Sequence, residues 1–312
     1  MRHFLKDDDL TSGEQRDVLL RARELKADRF AQQPLRGPRS VAVIFDKATL
    51  RTQLSFTVGI TELGGSPLVV DGNLAQIGTR ESIADVTRVL TRQVSALVWR
   101  TYGQDRIEEM ARYATVPVIN ALTDEYHPCQ ILADLLTIAE HTGGFTASGP
   151  ALAGKTLTYV GDGANNMARS YLLGGVLAGM NVRIGAPLGY HPAPEILTRA
   201  KEIAETTGGS AAVFTSPSEA VAGADAIATD TWVSMGQEGE AAEREEPFIP
   251  FQVNDALLAG APEAIVLHCL PAYRGKEITA EAIEGPRSVV WDEAENRLHA
   301  QKALLAFLLE QR

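Results

Sequence analysis

Apolar positions along the chain fall into short continuous runs separated by longer stretches of helical period. VAVIF (41–45), LVV (68–70), ALVW (96–99) and VPVI (116–119) are such runs, rich in β-branched residues, and each predicts a buried strand. A first helix is announced by Thr11 with Glu14 three residues on, a capping-box spacing. Val18, Ala22 and Leu25 continue it as an i, i+4, i+7 stripe. Further helical patterns follow VAVIF through Ile60 and recur near 82–92, 105–114 and 129–140. The Gly-, Ser- and Thr-rich stretch HTGGFTASGPALAGK then breaks the alternation and predicts a domain boundary. Beyond it come TLTYV (156–160), a helix to Gly179, NVRIG (181–185), a helix near 194–206, AAVF (211–214), AIAT (226–229), AIVLH (264–268) and SVVW (288–291). The tail from Glu293 to Gln311 reads as one amphipathic helix.

Continuous apolar strands alternating with helices predict parallel sheets covered on both faces. The expected fold is therefore α/β: two doubly wound parallel-sheet domains joined by a helix, with a long C-terminal helix. The expected boundaries are residues 1–140, 141–292 and 293–312, the last segment packing back on the first domain.

Charge narrows the functional classes. Lys plus Arg number 29 against 40 Asp plus Glu, a net charge of −11 over 312 residues. So acidic a chain is a poor sequence-independent ligand for nucleic acid or anionic membrane. Any anionic small molecule must be gripped by a local cluster of Arg and His. Cys129 and Cys269 form no CxxC or metal-ligand spacing, so no metal centre is expected and a reducing, cytoplasmic compartment fits. The opening MRHFLKDDDL lacks the apolar core of a signal peptide, and no apolar run approaches the ~18 residues a membrane span needs.

In open α/β sheets ligands bind beyond the carboxyl ends of the strands. Six segments of unusual composition stand there: FDKATLRT after VAVIF, Arg100-Thr101 after ALVW, HPCQ past VPVI, GDGANN after TLTYV, DTWVSMG after AIAT, and HCLPAYRG ending AIVLH. Three come from each half, which predicts a site in the cleft between domains. TLRT (49–52) opens a helix, where backbone N–H groups and the helix dipole favour an anion and Arg51 can add a bidentate grip. It can equally be an ordinary N-cap with a surface Arg. His127 before Pro128, with Gln130 one turn on, offers two donors to a carbonyl. GDGANN lacks the third glycine of GxGxxG, and NVRIGAP carries no acid for a ribose, which disfavours a nicotinamide oxidoreductase. Asn165 and Asn166 suit a carboxylate and an ammonium instead, and Asp230 is the natural partner of a substrate amine.

Together these segments resemble the aspartate/ornithine carbamoyltransferase family over essentially the whole chain. HPCQILADLLTI, GDGANNMA, DTWVSMGQE, HCLPAYRG and DEAENRLHAQKALL are similar to its ornithine branch in particular. The resemblance implies transfer of a carbamoyl group from carbamoyl phosphate to L-ornithine, giving citrulline, within arginine metabolism and most simply its biosynthesis. It implies that Thr49, Leu50, Arg51, Thr52 and Arg100 hold the phosphate, and that His127 and Gln130 hold the carbamoyl carbonyl and amide. Cys269, Leu270 and Arg297 would close around the carbamoyl end. Asn166, Asp230, Ser234 and Met235, with Cys269, would hold ornithine. Arg100, His127, Asp230 and Cys269 form the implied catalytic set, with no cofactor. Gln76 would reach a neighbouring subunit's site in a homotrimer.

One motif departs. The family's phosphate loop reads Ser-Thr-Arg-Thr-Arg, and here it is Thr49, Leu50, Arg51, Thr52, Gln53. Leu50 drops a hydroxyl and Gln53 drops a charge, which predicts weaker carbamoyl phosphate binding. The alternative is a relative that has lost catalysis or changed its specificity.

Overall fold

The computed structural model describes residues 1–232 and 245–311. Packing divides the chain into two compact units, Met1–Leu136 with Glu295–Arg312, and Thr137–Ala294. Two helices, Pro128–His141 and Val290–Glu310, pass from one unit into the other.

The first unit is built on a parallel sheet of β1 (Ser40–Phe45), β2 (Ser66–Asp71), β3 (Ala96–Arg100) and β4 (Val118–Leu122), in the order β2-β1-β3-β4. Strands β1 and β3 are buried because helices cover both faces. Ala42, Ile44, Leu97 and Trp99 pack against Ile83, Ile107 and Met110. At ~1.5–3 kcal/mol for each fully buried large apolar side chain, such clusters hold the sheet. The edge strand β2 instead leaves Leu68 and Val69 exposed. The first helix, Ser12–Ala27, carries the capping box its sequence announces: Thr11 Oγ1 accepts the Glu14 N–H, and Glu14 Oε2 accepts the Thr11 N–H at 2.8 Å. Helix Arg51–Glu62 buries Thr52, Ser55, Phe56, Gly59 and Ile60, one stripe of helical period. A Cβ on Gly59 would come within 3.0 Å of Lys302 Cγ, so glycine permits the close approach of the C-terminal helix.

The second unit has a parallel sheet of β5 (Thr156–Val160), β6 (Asn181–Gly185), β7 (Ser210–Phe214), β8 (Ala226–Thr229) and β9 (Ile265–His268), in the order β7-β6-β5-β8-β9. Each sheet reverses its winding once, between β1 and β3 in the first and between β5 and β8 in the second. These switch points are where a crevice opens at the strands' carboxyl ends. No helix among the described residues is long and apolar enough to cross a membrane.

Two elements differ from the pattern-based expectation. SVVW (288–291) is not a strand: Ser288 makes one isolated bridge to Val266, and the long helix begins at Val290. A four-residue apolar run looks the same at a strand and at a helix start, and the acids Asp292 and Glu293 that follow favour the helix N-terminus. The helix after β5 is also not uniform. It is α-helical over Asn166–Ser170 and widens into a π-turn over Tyr171–Gly175.

Candidate active site

In the first unit strand-end and helix residues assemble a cationic cluster. Leu50 is the N-cap of helix Arg51–Glu62 and offers no side-chain cap, so backbone N–H groups open this helix without a capping oxygen. Arg100 ends β3 and is buried, and its carbonyl accepts the Asp46 N–H at 2.9 Å. His127 is buried just ahead of helix Pro128–His141. Arg297 arrives from the C-terminal helix and forks: Nη1 donates to Gln130 Oε1 at 2.7 Å and Nη2 to Thr52 Oγ1 at 2.6 Å. Gln130 Nε2 in turn donates to Asp134 Oδ1 at 2.7 Å, which fixes its amide orientation. Burial, then the charges of Arg297, Arg100 and Arg51, hold the His127 imidazole well below its ordinary pKa. The ring is therefore a neutral donor at physiological pH, suited to polarising a carbonyl. Cys129, two residues on, is buried: burial pushes its thiol up, and Sγ donates to the Asn120 carbonyl at 3.2 Å.

In the second unit the cluster is mixed. One ligand-type atom each of Asp230, His268 and Cys269 lies within 4.8 Å of the others. Burial raises the Asp230 carboxyl above the usual carboxylate range, against lowering contributions from His268, the Thr231 N–H and the Cys269 thiol. Such a carboxyl is a better proton acceptor than an exposed one. His268 Nδ1 accepts the Leu270 N–H at 2.9 Å, and His268 Nε2 lies 3.1 Å from Glu277 Oε1. A metal ion at this cluster would have to displace one of those two partners. Asn165 is the N-cap of helix Asn166–Ser170: its Oδ1 accepts the Ala168 N–H and its Nδ2 donates to Tyr159 Oη at 2.7 Å. Asn166 is the first residue of that helix.

Two family models match this chain. The carbamoyl-P binding domain of aspartate/ornithine carbamoyltransferase matches residues 2–140, and the Asp/Orn binding domain matches residues 153–308. The chain belongs to the aspartate/ornithine carbamoyltransferase family. An ornithine carbamoyltransferase of Bifidobacterium longum subsp. infantis is 59% identical over 309 residues, covering 99% of this chain and 95% of that protein. One from Clavibacter sepedonicus is 59% identical over 311 residues, covering 99% of each. Among solved structures, the ornithine carbamoyltransferase of Pyrococcus furiosus is 43% identical with a TM-score of 0.93, covering 100% of this chain and 98% of that one.

Of the residues singled out from sequence, Thr52, Gln130 and Arg297 are joined by direct hydrogen bonds, and Arg51 and Arg100 lie near enough to act on His127. Thr49 and Leu50 immediately precede the helix, and Leu50 is 75% exposed. Gln76 is not bonded to this cluster among the described residues. It is exposed and left-handed (φ 51°) at the end of the short helix Gly72–Ala75. Asp230 and Cys269 are joined, and Leu270 follows with a left-handed backbone (φ 57°). Ser234 and Met235 lie outside the described residues.

Sequence reasoning missed two residues. Arg106 donates to Thr101 Oγ1 at 2.9 Å and to the Ile77 carbonyl at 2.8 Å, and pairs with the buried Asp46 at 3.4 Å, so it anchors the segment carrying Gln76. Glu277 is buried to 1% exposure against His268. No local signal marks either one: Arg106 stands in the polar helix QDRIEEMARY and Glu277 in the turn RGKEIT, both among polar neighbours.

Proposed function

We propose that this enzyme transfers the carbamoyl group of carbamoyl phosphate to the terminal amine of L-ornithine, forming citrulline and phosphate. The observation that carries this reading is the Arg297 fork onto Thr52 and Gln130, in a cationic cluster with buried Arg100 and half-buried Arg51 around neutral His127, on a protein of net charge −11. So concentrated a positive field suits a phosphorylated substrate. The name shared by the relatives supports ornithine over aspartate as acceptor.

In this reading the N–H groups at the start of helix Arg51–Glu62, with Thr49, Arg51, Thr52 and Arg100, hold the phosphate. Neutral His127 donates to the carbamoyl oxygen, and Gln130, Arg297 and the Leu270 carbonyl orient the rest of the carbamoyl group. Asn166, Asp230, Ser234 and Met235 hold the amino acid. Asp230, with Cys269 beside it, takes a proton from the ammonium. The amine lone pair then attacks the carbonyl carbon. The C–O bond to phosphate breaks, and phosphate leaves with the electron pair and takes the amine's remaining extra proton. Charge stabilisation and positioning supply the rate.

The exposed apolar side chains Leu50, Leu54, Leu68, Val69 and Leu74 of the first unit support a homo-oligomer, in our reading a trimer in which Gln76 completes the adjacent chain's site. We place the enzyme in the cytoplasm, in arginine biosynthesis. The test is the initial rate with carbamoyl phosphate and either L-ornithine or L-aspartate. Saturable citrulline formation with negligible carbamoyl-aspartate is expected, and comparable rates on aspartate would overturn the reading.

A further inference from the structure

We propose that Lys302 and Glu62 form a buried register lock, which holds the C-terminal helix Val290–Glu310 in the position from which Arg297 reaches Thr52 and Gln130. The inference rests on the reading above, where Arg297 orients the carbamoyl group, and adds two positioning residues to it. Lys302 and Glu62 both lie in the first unit, with side chains 0% and 7% exposed. Lys302 Nζ donates to Glu62 Oε2 at 2.7 Å and to the Arg29 carbonyl at 2.6 Å. The other carboxylate oxygen, Oε1, accepts Arg29 Nε at 2.9 Å and also Arg29 Nη2. Burial disfavours a charge on Glu62, but the hydrogen bonds from Arg29 and Lys302 outweigh it and hold the carboxyl below its ordinary range. Lys302 therefore faces an ionised partner at neutral pH.

The ion pair and the Arg297 fork fasten the same two helices. Thr52 stands in the first turn of helix Arg51–Glu62 and Glu62 is its last residue, while Arg297 and Lys302 lie about one and a half turns apart on the C-terminal helix. Between Thr52 and Glu62, a Cβ on Gly59 would come within 3.0 Å of Lys302 Cγ and 3.3 Å of Leu298 Cδ1. Apolar packing alone sets this register weakly. Ala303, Leu304, Leu305 and Ala306 are consecutive and all buried, so the helix presents aliphatic side chains to the interior on every side. A slide by one residue moves a helix ~1.5 Å and turns it by about 100°, and would still bury aliphatic groups. It would also strand the Lys302 ammonium in the interior without its carboxylate, which is strongly disfavoured. The pair thus excludes the registers in which Arg297 points away from Thr52.

The test replaces the pair with apolar residues of similar size, Glu62→Leu together with Lys302→Met, and Arg29, 44% exposed, can turn to water. Replacing a buried ion pair in this way is often neutral or stabilising, so the melting temperature should stay at or above that of the wild type. Yet kcat/KM for carbamoyl phosphate should fall roughly tenfold or more, within the roughly hundredfold that a ~1 Å misplacement can cost. KM for ornithine should change little. In an Arg297→Ala background the same replacement should cost less than about twofold, because the group it positions is gone. A crystal structure of the double variant should show Arg297 released from Thr52 or Gln130. If the double variant does not fold, Glu62→Gln, which keeps the volume and an acceptor for Lys302, takes its place, with a few-fold loss that the Arg297→Ala background abolishes. Unchanged kcat/KM, an equal loss with and without Arg297, a loss that only follows a fall in melting temperature, or an intact fork in the crystal would overturn the lock. A displaced fork in the variant crystal, with no citrulline formation by the wild type, would leave the lock standing and contradict the reading it rests on.

Discussion

Arg297 Nη2 lies 2.6 Å from Thr52 Oγ1, although 245 residues separate the two along the chain. With Gln130 on the other prong, the guanidinium is held by two neutral oxygens in a buried setting. Lysine keeps the charge but not the planar fork. Arg297→Lys should therefore lower kcat/KM by roughly a hundredfold, the scale for a lost preorganised donor. Arg297→Ala should lose more and should also lower the melting temperature, because Thr52 and Gln130 are left without their partner. Steady-state kinetics beside a thermal melt checks both. A lysine variant with wild-type kcat/KM would contradict the role of the fork.

Gln53 sits exposed in the first turn of helix Arg51–Glu62, so its replacement perturbs no core packing. Adding a cation there raises the local positive potential at the proposed phosphate site. Gln53→Arg should lower KM for carbamoyl phosphate by a few-fold, the range of a partly exposed ion pair of ~1 kcal/mol, and leave KM for ornithine unchanged. An unchanged or raised KM would mean that this loop is ordered without that charge.

Much of this was legible in the sequence, and the reasons are specific. Strands β5, β6 and β8 match their predicted runs residue for residue, because the inward positions of a covered parallel strand must be apolar: Val182 and Ile184 of β6 are buried, whereas Asn181 and Arg183 are only partly so. The Thr11 and Glu14 cap was legible because both bonds are local. The Val290 helix start was not, since a short apolar run has no period to read. Arg106 and Glu277 were hidden because their partners are set by tertiary folding: Ile77 and Asp46 for one, His268 for the other. The phosphate-loop segment was visible, but that Leu50 rather than Thr49 takes the N-cap position depends on a backbone turn that no residue type announces.

The depressed pKa of His127 makes a prediction about acid stability. In the unfolded chain the imidazole takes up a proton as pH falls through ~6.5, whereas the folded protein resists it well below that. The unfolded state therefore binds more protons in that window, and stability falls as pH drops through it, by up to ~1.4 kcal/mol per pH unit for one group. His3, pushed down to about 4 by burial and then by the N-terminal ammonium, and His299, lowered chiefly by burial, act in the same direction. Urea unfolding of wild type and His127→Gln at about pH 7, 6 and 5 isolates one share: the variant's slope should be shallower by ~1 kcal/mol per unit. Equal slopes would mean that His127 titrates normally in the folded state.

A shared site makes a counting prediction. Gln76→Ala removes the loop contribution and Arg297→Ala removes the pocket contribution, on different chains' sides of one site. Unfolding and reassembling the two inactive proteins together should restore about a quarter of the wild-type sites, by random pairing around a closed ring. Mixed trimers, confirmed by native mass spectrometry, that show only the parental residual activities would assign Gln76 to its own chain or to no site.

The central claim is that one chain type joins these two substrates. The direct measurement supplies carbonyl-¹³C carbamoyl phosphate and L-ornithine to the purified protein and follows labelled citrulline by NMR alongside phosphate release. The account predicts labelled citrulline and phosphate appearing in equal amounts, at a rate that Arg51→Ala reduces by two orders of magnitude or more, as expected for a charged transition-state donor. Phosphate released without labelled citrulline, or no citrulline above the uncatalysed background, would contradict it.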